Sequence, residues 1–470
     1  MKLFDISTII NVKKIKNLKT NKSFTNVTSN SLFIDEKSIF IFDVNSKSKK
    51  IYLKEAIRKK AVAILSNKNY RFINIPLFIV EDIEDTKKKI LQKLFPFPPK
   101  KSIAITGTNG KTSVLWYISK ILNNLKINNK TLGTLGYFSN SKKISDINLT
   151  TPAYEELVKY TSSKKNINFN AIIEASSHAL DQNRLKNFKV NIAAITNISN
   201  DHLDYHKSLI NYRNAKLNLF FKHLSKKGIG IVNTRIKYLN YIKNKLKNKK
   251  IKIIYFGKNI FYFYLENKKL KFKFFKNIYN INNLKLNSTI ELENLECAIA
   301  CCVALGIDEK LIIKSLKCIS NPPGRLQKIV TKNKNINIFV DYAHTPDALK
   351  KILINSTNKN NKPVVLFGCG GQRDKGKRAL MGKVAFKYAK RAYITDDNPR
   401  FENPGKIRSQ ILSGCPNGIE VSNRKSAIKK AISSLKNNEI LIVAGKGHEK
   451  YQMIKDQYYD FDDYKIIKKY

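Results

Sequence analysis

Short apolar runs alternate with helix-spaced stretches along the whole chain, and the period of each run predicts its element. Ser38-Ile-Phe-Ile-Phe42 and Ala61-Val-Ala-Ile-Leu65 read as strands, with a helical stretch near Leu53–Lys60 between them. Ile103–Ile105 reads as a buried strand, and Val114, Leu115, Ile118, Ile121 and Leu122 after it fall on one face of a helix. Ala171-Ile-Ile-Glu174 and Ile192-Ala-Ala-Ile-Thr196 are apolar runs that end in polar residues, as strands buried on both faces of a parallel sheet do. Leu270-Lys-Phe-Lys-Phe274 alternates strictly, which predicts a half-buried strand with a solvated lysine face. Ile336–Val340, Val364–Phe367, Ala392–Thr395 and Ile440–Val443 resume the strand series. Pro96, Pro98, Pro99 and then Pro322-Pro-Gly324 punctuate it, dividing the chain into blocks 1–98, 99–328 and 329–470. The length prior of about three domains agrees. The pattern predicts an α/β protein with a mostly parallel central sheet.

Composition adds limits. With 42% hydrophobic residues each block can build a core. The formal net charge of +53 has nucleic acid as its obvious reading. Lysine, however, is spread over nearly every segment and arginine is scarce, which fits compositional drift better than a binding stripe. No specific nucleic-acid partner is expected, only weak incidental polyanion binding. Residues 234–283 interleave lysine with Tyr262, Phe263, Tyr264, Phe272, Phe274 and Phe275, as a nucleic-acid surface does. The strict alternation there favours a strand. Six cysteines form no C-x-x-C pair and no metal spacing; Cys297 and Cys301, four apart in a helical pattern, read as buried thiols. Such thiols suit a reducing compartment. There is no secretory h-region and no run of about 18 apolar residues, so a soluble, cytoplasmic protein with no membrane insertion is expected.

Ile103-Ala-Ile-Thr-Gly-Thr-Asn-Gly-Lys-Thr-Ser113 carries the clearest chemistry. Gly107, Thr108, Asn109, Gly110, Lys111, Thr112 and Ser113 link a strand to a helix start. Loop glycines turn backbone N–H groups inward, and the helix N-terminus adds partial positive charge, so the turn is an anion site. In such loops the lysine reaches the β- and γ-phosphates and the threonine hydroxyl ligates Mg²⁺. The common P-loop has four residues between its glycines; that spacing would need Gly at 105, where Ile105 stands. An ordinary strand-to-helix turn, the alternative, has no need of Gly-Lys-Thr.

Other strand ends carry polar motifs. Glu174-Ala-Ser-Ser-His178 offers a carboxylate that suits a hard cation, or else a helix cap at Ser176 or Ser177. Asn197-Ile-Ser-Asn-Asp-His-Leu-Asp-Tyr-His206 fits no zinc spacing and reads as a second-metal or phosphate-adjacent loop. Lys216 in Tyr212-Arg-Asn-Ala-Lys-Leu217 reads, from its helix alone, as solvated. Asp341-Tyr-Ala-His-Thr-Pro-Asp347, Phe367-Gly-Cys-Gly-Gly371 with the cations up to Arg378, Asp396-Asp-Asn-Pro-Arg400 and Ala444-Gly-Lys-Gly-His-Glu449 each follow a strand. Four such loops in one block point to one ligand-binding edge.

These motifs, in this order over roughly residues 100 to 460, resemble those of the Mur ligases, ATP-dependent amide-forming enzymes of peptidoglycan precursor synthesis. The resemblance is strongest to members that add meso-2,6-diaminopimelate to UDP-N-acetylmuramoyl-L-alanyl-D-glutamate. It implies a small N-terminal UDP-substrate-binding α/β domain, a central P-loop-type ATP-binding domain with helices on both sheet faces, and a C-terminal Rossmann-like domain that binds the incoming amino acid. It implies ATP and Mg²⁺ as cofactors, the UDP-N-acetylmuramoyl dipeptide and meso-diaminopimelate as partners, and a monomer. Gly107 to Ser113, Asn294, Arg325 and Asp341 would hold ATP, with Thr112, Glu174, His202 and a carbamylated Lys216 on the metal. This reverses the solvated reading of Lys216, and makes Lys111, Lys216 and His202 the catalytic set. Ser31, Thr150, Thr151, Ser176, Gln182 and Arg184 would hold the UDP-substrate. Arg373, Asp397, Asn398, Pro399, Arg400, Gly445 and Glu449 would surround the diaminopimelate.

The chain departs from the family at three places. Leu149 replaces an Asn before Thr150, Glu291 replaces an Asn near Asn294, and Asn30-Ser31-Leu32 stands for Asp-Ser-Arg, losing the Arg. Among the rivals, a lysine-adding ligase and folylpolyglutamate synthase are opposed by Asp-Asn-Pro-Arg. A nucleic-acid-dependent P-loop ATPase would need its basic residues gathered at the loop. The intact central and C-terminal motifs oppose a degenerate binding protein.

Overall fold

The computed structural model describes residues 1–44, 50–147, 149–258, 260–267, 269–282, 284, 286, 288–330, 336–357 and 361–470. Three larger sheets follow one another along the chain. The first has the order Lys14–Lys16, Leu77–Ile79, Ala63–Ser66, Ser38–Phe42, Asn26–Thr28, parallel except at its first pair. Helix Ile51–Arg58 bridges two of its strands and buries Leu53 and Ala56, the apolar positions of its 3.6 period.

The central sheet has eight strands. Its phosphate-loop strand, Ser102–Thr106, runs parallel between Asn170–Glu174 and Val190–Ile195. All three bury both faces, which is why their sequences are near-continuous apolar runs. Ile103 and Ile105 pack into a cluster with Val114, Ile118 and Ile121 of helix Lys111–Asn124 and with Ala298 of helix Thr289–Ala304. Ala104, one residue out of phase, faces the opposite cluster with Leu180 and Leu185. Helices therefore cover both faces. Register pairs Glu174 with Ile105 and Ile195 with Thr106, so three strand ends, and the loops after them, share one edge.

Strands Phe261–Glu266, Lys269–Phe274 and Asn277–Asn280 form a small antiparallel sheet. Phe261, Phe263, Phe272 and Phe274 are buried on one face, and Lys271 on the other pairs with Glu266, so these four aromatic positions serve the core, while Tyr262 and Tyr264 are half-buried and Phe275 is exposed.

The third sheet has the order Gln327–Ile329, Asn337–Asp341, Ile440–Ala444, Val364–Phe367, Arg391–Ile394, Ile419–Glu420, parallel except at its first pair. Gln327–Ile329, shortly after Pro322-Pro323-Gly324, hydrogen-bonds into this sheet. Val365 and Phe367 face one cluster and Val364 and Leu366 the other, so this sheet too is covered on both sides. Hairpin Tyr451–Ile454 with Gln457–Asp460 lies beyond it. Cys297, Cys301, Cys302, Cys369 and Cys415 are free and buried; the side chain of Cys318 lies outside those described. Among the described residues no helix is long and apolar enough to cross a membrane.

Candidate active site

The strand Ser102–Thr106 hands over to its helix through two glycines that no other residue could replace. Gly107 and Gly110 have φ of 147° and 88°. A Cβ would lie 1.9 Å from Thr196 Oγ1 at the first and 2.2 Å from Asn294 Oδ1 at the second. The loop is laced to the neighbouring strand end. Thr108 N and Asn109 N donate to Asn197 O and Oδ1, each at 3.0 Å, and Thr196 Oγ1 donates to Asn109 O at 2.7 Å. Lys111 Nζ curls onto Gly107 O (2.9 Å) and Thr108 O (3.0 Å). Burial pushes its pKa down, opposed by the carboxylates of Glu174 and Asp201.

Lys216 is not solvated as its helix alone suggested. Helix Leu209–Asn218, capped by Ser208, lies against the loop, and Lys216 is 1% exposed, with Nζ donating to Gly107 O at 2.8 Å and sitting 4.3 Å from the Tyr212 ring centroid. Burial, then Lys111, pushes its pKa well below the ordinary lysine value. Tyr212 OH donates to Thr108 Oγ1 at 3.0 Å, fixing helix to loop.

Glu174 is buried and accepts from Thr134 N (2.8 Å) and Thr134 Oγ1 (3.1 Å); among the described residues it has no salt-bridge partner. His202 has a left-handed φ of 53° and lies 3.3 Å from Asp201, with His178 edge-on at 4.7 Å between centroids. Burial, against the pull of Asp201, pushes His202 down to about 3, so its imidazole is neutral. A buried unpaired carboxylate, a hydroxyl (Thr112) and a neutral imidazole suit a divalent cation. Among the described residues no three His, Cys, Asp or Glu side chains gather as a metal site. These groups therefore fit a metal whose coordination is completed by other oxygens, such as phosphate, carbamate or water.

Asn294, Arg325 and Asp341 line one cleft with Asn109, Gly110 and Ser113 of the loop. Arg325 stacks 4.5 Å over the Tyr342 ring and reaches Thr112 Oγ1 at 3.4 Å. Asp341 accepts from Leu326 N and Ala343 N, both at 2.7 Å; burial raises its pKa and Arg325 opposes this. Glu291, the departure from the family, lines the same cleft, closes the Ser288 capping box and accepts from Asn321 Nδ2. Tyr117 and Tyr342 also line the cleft, and sequence reasoning missed both. Tyr342 lies inside a quoted motif, which was the available signal.

Thr151, Ser176, Gln182 and Arg184 form one group. Ser176 N donates to Thr151 Oγ1 (2.9 Å), and Arg184 reaches Thr151 O (3.0 Å) and Gln182 Oε1 (2.9 Å). Thr150 lies 3.4 Å from Thr134 Oγ1, beside Glu174. Ser31 is not brought into this group. It sits in the first block, where its carbonyl accepts from Lys59 Nζ at 2.7 Å, although Ser29 two residues earlier bonds to Glu155 of the central block.

In the third block the predicted loops do meet. Asn398 Nδ2 donates to Glu449 Oε2 at 2.9 Å, and Asn398 N to Asp397 Oδ1 at 2.7 Å. Arg400 has a φ of 52° and donates to Gly371 O at 2.9 Å. Glu402 is taken by Arg378 (2.9 Å) and by Gln372 N; among the described residues Arg400 is in no salt bridge, and it helps to hold the neighbouring Asp397 carboxyl down. A Cβ on Gly371 would lie 1.9 Å from Pro399 O, and one on Gly445, at φ 107°, 2.9 Å from Asp397 Oδ2. Arg373 is exposed on the glycine loop. Asn109 Nδ2 reaches Asp347 Oδ2 at 3.4 Å across the cleft between central and third blocks.

Comparisons with known proteins bear on these loops. Residues 105–302 match the Mur ligase middle domain, and residues 324–447 match the Mur ligase glutamate ligase domain. The chain is 38% identical over 473 residues to the UDP-N-acetylmuramoyl-L-alanyl-D-glutamate–2,6-diaminopimelate ligase of Rickettsia rickettsii, covering 97% of both chains. It is 26% identical to a solved structure bearing that same ligase name, covering 100% of this chain and 98% of the other with a TM-score of 0.63. It shares its fold with the MurF ligase of Thermotoga maritima, solved in complex with ADP, at 17% identity, a TM-score of 0.65 and 89% and 93% coverage.

Proposed function

The chain belongs to the Mur ligase family, and from that premise we propose that it adds meso-2,6-diaminopimelate to UDP-N-acetylmuramoyl-L-alanyl-D-glutamate, at the expense of ATP, in peptidoglycan precursor synthesis. The observation that carries this reading is a phosphate loop that holds the buried Lys216 against Gly107 O and is linked through Arg325 and Tyr342 to Glu449, the partner of Asn398, on a chain matching named diaminopimelate ligases over 97% of its length.

The three blocks take the roles the family implies: UDP-substrate binding, ATP binding and amino-acid binding. A carboxylate is a poor acyl donor, so ATP activates it. An oxygen of the D-glutamate side-chain carboxylate attacks the γ-phosphorus, and ADP leaves. The diaminopimelate amine then attacks the acyl-phosphate carbon, loses a proton, and inorganic phosphate departs with the carboxylate oxygen. Two anions must approach, and Lys111 with the N–H groups at the start of helix Lys111–Asn124 offsets that charge. Thr112, Glu174, His202 and a carbamate on Lys216 would hold Mg²⁺, which when bound would supply further positive charge to offset that of the reacting anions. Thr150, Thr151, Ser176, Gln182 and Arg184 orient the peptide end of the UDP-substrate, with Ser31 nearer the uridine. Each chain carries a whole set of these groups and works as a monomer on cytoplasmic substrates.

The test is ADP release with the UDP-dipeptide and either diaminopimelate or lysine. ADP release that needs the UDP-dipeptide and diaminopimelate together supports the assignment. Release with lysine in preference, or release stimulated by nucleic acid without either substrate, would overturn it.

A further inference from the structure

Lys446 belongs to none of the residue sets above, yet it is among the most enclosed cations in the molecule. It follows strand Ile440–Ala444 and is 0% exposed. An ammonium taken out of water is costly unless it is paired and hydrogen-bonded. Its Nζ lies 3.0 Å from Asn398 Oδ1 and 3.4 Å from Glu449 Oε2, over the Tyr451 ring at 5.6 Å.

The consequence falls on its neighbours. Asn398 Oδ1 accepts from Lys446 and also from Met453 N at 2.9 Å. With two donors on the oxygen, the nitrogen end of the carboxamide is turned to Glu449 Oε2. Glu449 Oε2 is thus shared by Asn398 and Lys446, whereas among the described residues Oε1 meets only the Tyr342 hydroxyl, at a long 3.4 Å. Burial works against ionisation of Asp397 next door, and Lys446, then Arg424, outweighs it. One buried cation therefore sits among two carboxylates and a carboxamide, all on loops of the amino-acid site.

Resting on the amino-acid site read above, we propose that Lys446 is a positioning residue for the incoming amino acid: it touches no substrate, but locks Asn398 and Glu449 so that Glu449 presents its weakly held oxygen, Oε1, to the substrate's far ammonium. The far end of diaminopimelate carries that ammonium beside a second carboxylate, which suits the planar guanidinium of Arg400. Lys446 thereby sets the affinity for the amino acid while leaving the ATP and UDP-substrate sites alone.

The experiment compares the full-length wild type with Lys446→Met, Lys446→Gln, Glu449→Gln and the double variant Lys446→Met/Glu449→Gln, measuring KM for each substrate and kcat. Wild-type turnover with diaminopimelate is measured first; a wild type inert towards it removes the functional reading and this proposal with it. With an active wild type, Lys446→Met is expected to raise KM for diaminopimelate about ten- to hundred-fold, the usual worth of a hydrogen bond to a charged group, with KM for ATP and the UDP-dipeptide unchanged. Lys446→Gln, which keeps a hydrogen-bonding end, is expected to lose less. The double variant is expected to be no worse than Glu449→Gln, because Lys446 acts through Glu449. An unchanged KM for diaminopimelate, an equal rise in all three KM values, or additive losses in the double variant would overturn the proposal and leave the functional reading standing. So would failure of both single Lys446 variants to fold, which would make Lys446 a group that holds the domain together.

Discussion

Lys216 and Arg400 show how much a side chain's surroundings decide its chemistry. The Lys216 amine is enclosed against Gly107 O and the Tyr212 ring, next to Lys111. A carbamate there would replace a crowded cation by a carboxylate-like metal ligand. Lys216→Ala is expected to be inactive and to be partly rescued by acetate or formate, which supply the missing carboxylate; full activity without rescue would rule the carbamate out as a requirement. Helical period could not reveal this burial, because the group that covers Lys216 comes from a loop more than a hundred residues earlier. Only the motif match did. Arg400 is legible in Asp-Asn-Pro-Arg, but not its left-handed backbone or its anchor on Gly371. One nitrogen of the guanidinium is held there, and the rest of the planar fork remains for the far carboxylate of diaminopimelate. Arg400→Lys is expected to lower kcat/KM for diaminopimelate about ten- to hundred-fold with little change for lysine. An equal loss for both amino acids would contradict this role.

At the scale of elements, the apolar runs placed the strands well because both faces of the larger sheets are buried, and a run such as Val364–Phe367 has no polar phase to confuse it. Asn129–Gly133, Leu224–Asn233 and Lys252–Phe256 of the central sheet went unnamed; of the third block, the strand Gln327–Ile329 and the hairpin Tyr451–Asp460 escaped notice. The first is three residues long with a single buried position, and the second is half-buried or exposed throughout, so neither has an apolar run. Yet that hairpin braces the amino-acid site: Arg400 N donates to Met453 O at 3.1 Å and Lys455 N to Arg400 O at 2.8 Å. Elsewhere a carboxylate ties two strands together. Glu439, buried just before Ile440–Ala444, accepts from Lys390 (2.7 Å), Arg391 (2.5 Å) and Lys436 N (3.0 Å). Burial alone would raise its pKa; these bonds outweigh it and hold the carboxyl at about 2, below its ordinary 4.5. A depressed carboxyl stabilises the fold above its unfolded value and loses that contribution as it is protonated. The wild type is therefore expected to lose Tm relative to Glu439→Gln as pH falls from 4.5 towards 2, and parallel Tm curves for the two would contradict the clamp.

Across the whole molecule the charge of +53 is the feature most open to misreading. Its lysines lie on all three blocks and on the small antiparallel sheet, where Phe261, Phe263, Phe272 and Phe274 are turned into the core while Tyr262 and Tyr264 are half-buried and Phe275 is exposed. Binding to nucleic acid is expected to be weak, to fall steeply with salt and to show no sequence preference. Tight, sequence-selective binding at physiological salt would contradict the reading of drift. The first block was the least legible, since Asn30-Ser31-Leu32 lacks the family's Arg, and Ser31 stands apart from the group around Thr151. The gathering of four strand-end loops in the third block was legible, because in a parallel sheet the carboxyl ends of the strands meet on one side. The central claim is that these loops and the phosphate loop join diaminopimelate to a carboxylate that ATP has activated. The most direct measurement is mass spectrometry of one reaction in which the D-glutamate side-chain carboxylate of the UDP-dipeptide carries ¹⁸O and diaminopimelate and lysine compete in equal amounts. The account predicts the diaminopimelate-bearing product and a released phosphate that has gained a single ¹⁸O. An unlabelled phosphate, or a product bearing lysine, would contradict it.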